Sequence, residues 1–153
     1  MTTYFEDFSE GDTESFGAYE VTAEEILAFA EQYDPQWFHT DEERAESESI
    51  YGGLIASGWH TAAMTMRMIV DHHLHDAAAL GALGVDELRW PTPVRPGETL
   101  SVETEVLETR PSESDPSRGV VRTHSRTVNQ DGQSKLTMTS IVLYATREHA
   151  DKF

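Results

Sequence analysis

The spacing of apolar residues changes along this chain, and each change predicts a different element. Residues 14–21 read as an extended segment. Directly after them, Thr22-Ala23-Glu24-Glu25 has the form of a capping box, in which the Thr hydroxyl and the Glu carboxylate satisfy the first free amides of a helix. Ile26, Phe29, Ala30 and Tyr33 follow at i, i+3, i+4 and i+7 and form one apolar face. The helix should stop near Tyr33, because Pro35 disfavours helical backbone at Asp34. Residues 41–49 are polar and acid-rich and are expected to be a loop leading to Tyr51-Gly52-Gly53. From 54 to 74 apolar residues fall nearly all round a helical projection, which predicts a central buried helix.

Beyond that helix the character becomes β-branched and partly alternating. Residues 85–90, 99–107, 119–128 and 134–145 read as strands. Pro91, Pro93 and Pro96-Gly97 punctuate the first gap, residues 111–118 form a turn-rich loop, and Asp131-Gly132 marks a hairpin. One early extended segment, one long helix and four later strands imply an α+β architecture. An antiparallel sheet wrapped around the helix is the economical way to bury both.

Length and charge narrow the class. The 153 residues are expected to form a single domain, 1–153, with a real core. The longest apolar stretch is interrupted by Arg67 and rich in small residues, so it does not read as membrane-spanning. The N-terminus is polar, without a cationic stretch followed by an apolar one, and there is no Cys, which excludes thiolate chemistry; together these favour the cytoplasm. The 28 acidic side chains against 11 Lys plus Arg give a net charge of −17. That balance argues against nucleic acid, whose binding depends on neutralising phosphates, and against an anionic membrane surface. It fits a protein adapted to a salt-rich cytoplasm, where the self-repulsion of an acidic surface is screened.

Three short segments carry candidate chemistry. Asp34-Pro35-Gln36-Trp37-Phe38-His39 puts a carboxylate and an imidazole in one short loop after a helix. Such a pair can hold a water molecule and exchange protons with it. Gly52-Gly53-Leu54-Ile55-Ala56-Ser57-Gly58 leads into the buried helix, whose first amides and dipole favour developing negative charge. Leu88-Arg89-Trp90-Pro91-Thr92-Pro93-Val94-Arg95-Pro96-Gly97 precedes a strand.

Taken together and in this order, Asp-Pro-x-x-x-His-x-Asp, Gly-Gly-x-Ile-Ala-x-Gly and Pro-Val-Arg-Pro-Gly resemble the MaoC-type dehydratases and (R)-specific enoyl-CoA hydratases, over nearly the whole chain. The resemblance implies a hotdog fold, a homodimer or higher homo-oligomer, and an acyl-CoA thioester substrate at the subunit interface. No separate cofactor is implied, since CoA belongs to the substrate. It also implies Asp34 and His39 as the hydration pair and the Gly58 amide as oxyanion donor. Gln36, Trp37, Gly53, Ser57, Trp59, Arg89 and Arg95 are candidate substrate contacts. This chain departs from the pattern at Gln36-Trp37, where many members have Asn-Pro, at Ser57, where many have His, and at Met66, where short-chain hydratases carry a Ser.

Several residues admit a plainer role. Ser57 has the place of a helix N-cap, Trp59 and His60 fit pocket lining or core, and Arg89 and Arg95 fit phosphate ligands or solvated cations. His72-His73-x-His75 is not expected to bind metal, because adjacent side chains diverge on a helix. Two further functions fit the same frame: an acyl-CoA thioesterase, or a non-catalytic thioester-binding subunit. The Asp-x4-His pair favours hydration over the former.

Overall fold

A computed structural model describes residues 1–152. The chain runs β1 (Thr13–Glu20), α1 (Ala23–Tyr33), α2 (Trp37–Thr40), α3 (Glu42–Glu48), α4 (Gly58–His72), β2 (Ala79–Arg89), β3 (Thr99–Pro111), β4 (Arg118–Val128) and β5 (Ser134–Ala145), with short 3-10 turns between some of them. The five strands form one antiparallel sheet in the order β1-β3-β4-β5-β2. The helix α4 packs on it, as the hotdog arrangement requires. Among the described residues no helix is long and apolar enough to cross a membrane.

The core explains this order. Met64 and Met68 of α4 meet Val21, Ile26, Leu54, Val94, Leu100 and Val102, all buried, so the helix is clamped between the sheet and α1. Gly17, at φ +93°, lies on β1 where that strand crosses α4. A Cβ there would come within 2.6 Å of Met68 Sδ, so the close crossing needs glycine. The β4–β5 hairpin turns at Gly132 with φ +78°, as Asp131-Gly132 predicts.

Three expectations need correction. The 41–49 segment is not a loop: Asp41 accepts the Arg44 amide and caps the helix α3, an i to i+3 signature present in the sequence. The central helix starts at Gly58 rather than Leu54; residues 54–57 are buried but extended, since Ser57 caps the helix by accepting the Trp59 amide. It is also buried on one side only. His60, Thr61, Met64, Thr65 and Met68 face inward, while Trp59 (60% exposed) and Met66 (47%) face out. Apolar residues all round a helix therefore mark two faces here, one against the sheet and one that this chain alone leaves uncovered.

The first helix keeps its predicted end, with Asp34 at its C-terminal cap, but Tyr33 is exposed rather than part of the buried face. The capping box is half made. Thr22 accepts the Glu25 amide, whereas the Glu25 carboxylate accepts from the Tyr19 hydroxyl and from His60 Nε2 (3.2 Å). Burial pushes the His60 imidazole below its ordinary 6.5, against the opposing pull of Glu25. A His held neutral in the fold but free to protonate when unfolded costs stability once the pH drops under 6.5, and the cost grows down to the depressed folded value. The melting temperature is accordingly expected to fall from pH 7 to pH 5 at constant ionic strength, with a shallower fall in His60→Gln.

Candidate active site

Asp34 ends α1 with its amide still bonded to the Ala30 carbonyl (2.8 Å), and Pro35 then turns the chain out of the helix. The single helical turn α2 brings His39 back beneath it. His39 Nε2 lies 3.3 Å from Asp34 Oδ2, and the imidazole is buried. On its other side His39 Nδ1 is 2.7 Å from the Ile55 carbonyl. A carbonyl only accepts, so Nδ1 carries the proton and Nε2 is the nitrogen available for proton exchange. The Ile55 amide in turn donates to the Phe38 carbonyl (3.3 Å), which docks the turn onto the extended 54–57 segment.

Gln36 shapes the carboxylate rather than the substrate side. Its side-chain amide donates to Asp34 Oδ1 at 2.7 Å. Burial pushes the Asp34 carboxyl up, but hydrogen bonds from Ser57 and Gln36, joined by the charge of His39 when that ring is protonated, outweigh it and hold the pKa below the usual value. Asp34 is therefore ionised at neutral pH. Ser57 thus has two roles at once: it caps α4 and it faces the carboxylate. The residue after it is Gly58, the first of α4, so the helix amide lies one residue from the Asp34 partner.

The remaining candidates divide by place. Trp37 turns aside from the pair and packs under the Arg44 guanidinium, 4.2 Å from its ring centre. Trp59 is exposed, not core, and meets Trp90 edge to face with centroids 5.2 Å apart. Trp90 was not legible as a site residue, yet its indole covers Gly58: a Cβ on Gly58 would come within 2.6 Å of it. Gly53 lies beside Arg95, whose Nη1 would be 3.6 Å from a Cβ there. Arg89 and Arg95 are both exposed and make no ion pair among the described residues, whereas every other Arg pairs with an acid. In a chain of net charge −17, two such cations, one at the start of a loop and one within it, form a local exception. The His72–His75 run disperses: His72 pairs with Glu14, His73 contacts the Tyr144 hydroxyl, and His75 bonds the Val70 carbonyl.

Along α4, Gly58, Ala62, Met66 and Ile69 follow one another at helical spacing. The last three line an apolar cavity of about 580 Å³ that is open to solvent on one side, with Ala82, Val85 and Val142 of the sheet opposite. The helix thus leads from the Asp34–His39 site along this cavity.

The family model for the MaoC like domain matches residues 9–130. The chain belongs to the MaoC-like family. This MaoC-like domain is 46% identical to the crystal structure of the MaoC-like dehydratase from Rhodospirillum rubrum, with a TM-score of 0.85 over 94% of this chain and 97% of that one. It is 27% identical to the uncharacterized protein YdeM of Bacillus subtilis over 82% of this chain and 86% of that protein. The unliganded R-hydratase PhaJ1 from Pseudomonas aeruginosa shares the fold at a TM-score of 0.77 and 23% identity, over 95% of this chain and 88% of that one. The hotdog reading of the MaoC-like domain thus agrees with its own sheet order and with its structural neighbours.

Proposed function

We propose that this MaoC-like protein is a hydro-lyase that adds water reversibly to a trans-2-enoyl-CoA, giving the (R)-3-hydroxyacyl-CoA. The observation that carries the proposal is the Asp34–His39 pair, 3.3 Å apart, next to the first amide of α4. In the forward direction the water oxygen bonds to C3 of the enoyl group and a proton is delivered to C2. Asp34 and His39 manage both protons as one coupled unit. The Gly58 amide donates to the thioester oxygen as its negative charge develops. Gln36 holds Asp34 in place, and Ser57 does so from the helix side. Arg89 and Arg95 meet the CoA phosphates, Gly53 gives Arg95 room, and Trp59 forms the mouth with Trp90. Trp37 borders the site without reaching the pair. CoA enters only as part of the substrate. The test is loss of the conjugated-thioester absorbance of crotonyl-CoA on adding the enzyme. Release of free thiol instead would point to a thioesterase, and binding without turnover to a non-catalytic subunit.

The working form is proposed to be a homodimer. The outer edge of β2 carries Leu83 (63% exposed) and Val85 (50%), and Val85 lines the cavity together with Met66 of α4. An unpaired apolar edge of this kind is a pairing surface, and pairing two copies across a two-fold axis would close the open side of the 580 Å³ cavity. Leu83→Asp combined with Val85→Lys is expected to halve the mass found by sedimentation equilibrium and to lower activity with it. An unchanged mass would remove this edge as the interface.

A further inference from the structure

Lys135 is one of only two lysines in the chain, and its side chain is 2% exposed. An ammonium has three protons to donate, and all three find an oxygen: the Pro93 carbonyl at 2.8 Å, Gln133 Oε1 at 2.9 Å and Glu98 Oε2 at 2.9 Å. Glu98 is saturated too. Its other oxygen accepts the Arg95 amide at 2.6 Å, and Oε2 also accepts from Asn129 Nδ2 at 2.6 Å. Burial pushes the Glu98 carboxyl up, but Asn129, the Arg95 amide and Lys135 bring it below its ordinary value. A buried ion pair of this kind is a poor source of stability, since an apolar side chain of equal volume often does as well. What it supplies is fixed geometry, and the geometry it fixes belongs to one loop.

That loop, residues 90–98, carries Trp90 over Gly58 and Arg95 beside Gly53. Its Val94 carbonyl accepts the Ala56 amide at 2.9 Å, in the same extended segment whose Ile55 carbonyl holds His39. We propose that Lys135 is a positioning residue: from behind the site it holds the 90–98 loop, and with it Arg95, where that loop borders residues 54–56. The lysine touches no substrate. Its effect falls on the carrier end of the thioester, because Arg95 is the cation this network places; in that respect the inference rests on the proposed hydration of a CoA ester.

Lys135→Met removes the charge and keeps the length. Hydrogen exchange is expected to rise about tenfold or more at the Arg95 and Ala56 amides, and to stay unchanged along β4. With crotonyl-CoA, KM is expected to rise about tenfold while kcat changes little, as for loss of one charged hydrogen bond. With the crotonyl ester of N-acetylcysteamine, which lacks the nucleotide and its phosphates, KM should not move. In an Arg95→Ala background Lys135→Met should no longer raise KM for the CoA ester. Unchanged exchange at Arg95 and Ala56, faster exchange spread equally through β4, or equal damage with both esters would each overturn the proposal. If Lys135→Met does not fold, Lys135→Gln, which removes the charge and keeps a donor for one of the three oxygens, is read by the same criteria. A wild-type protein inactive on both esters would defeat the hydration proposal, and the exchange measurement would still decide the role of Lys135.

Discussion

Asp34→Asn is expected to lower kcat on crotonyl-CoA by about 10²–10⁴, the usual share of positioned acid–base catalysis, with the fold intact. The substitution is nearly isosteric, and an Asn oxygen still accepts from Gln36 or Ser57, so the α1–α2 corner has no reason to rearrange. What disappears is the carboxylate, which those two donors and His39 keep ionised against its burial. His39→Ala should cost a similar factor by a different route. It removes Nε2 and frees the Ile55 carbonyl, so a modest fall in melting temperature should accompany the loss of rate. Because the two groups act on one water, the double variant should be little worse than either single one. Wild-type rates in Asp34→Asn, in a protein with an unchanged melting curve, would remove the pair from the mechanism. The linkage has a sign as well. A carboxyl whose folded pKa lies below its ordinary 3.8 stabilises the fold above that value and loses the contribution as the pH falls through the depressed one. Asp34→Asn should therefore flatten the stability curve only in strong acid, well below the His60 window near pH 6.5.

The parts of this site that were legible in the sequence are those set by local chain chemistry. Pro35 had to end α1 at Asp34, four further residues had to return His39 near it, and Ser57 had to cap whatever helix followed. Those constraints operate over a few residues and survive any tertiary context. What was not legible depends on distant partners. Trp90 reaches Gly58 only because β2 ends where α4 begins, and nothing in the local pattern around Trp90 announces that contact. Lys135 sits beside the buried Leu136 in a strand whose alternation alone would put the lysine in solvent; the distant Glu98 carboxylate and Pro93 carbonyl, with the side chain of nearby Gln133, make its burial tolerable. The acidic 41–49 segment differs from expectation for another reason, because its signals are local but outweighed by its polar composition. Its composition resembles a solvated loop, yet Asp41 caps it and Arg44 pairs with Glu48 at i+4, enough to hold one exposed helix against α2. Met66 marks the opposite limit. Its apolar character suggested burial, yet on α4 it lies on the exposed side of the helix.

Gly58 can be tested for its amide separately from its lack of a side chain. Any Cβ at this position meets Trp90 at 2.6 Å, so Gly58→Ala must shift the indole and should raise KM. Gly58→Pro adds the same Cβ but also deletes the N–H. The backbone tolerates that change: proline is favoured at the first helical position, and Ser57, at φ −57° and ψ 141°, already has the extended conformation that a residue before proline prefers. The first-turn N–H has no partner within the helix, so its loss costs no helical hydrogen bond. Comparing the two variants then cancels the clash with Trp90 and leaves the donor. If the Gly58 amide bears the developing oxyanion, Gly58→Pro should have a kcat lower than Gly58→Ala by about 10²–10³, the usual effect of one such donor, at similar melting temperatures. Trp90→Ala in both backgrounds relieves the crowding and should leave that ratio in place. Equal kcat values for the alanine and proline variants would show that the helix terminus polarises nothing, and the negative charge of the transition state would then have to be met by another group.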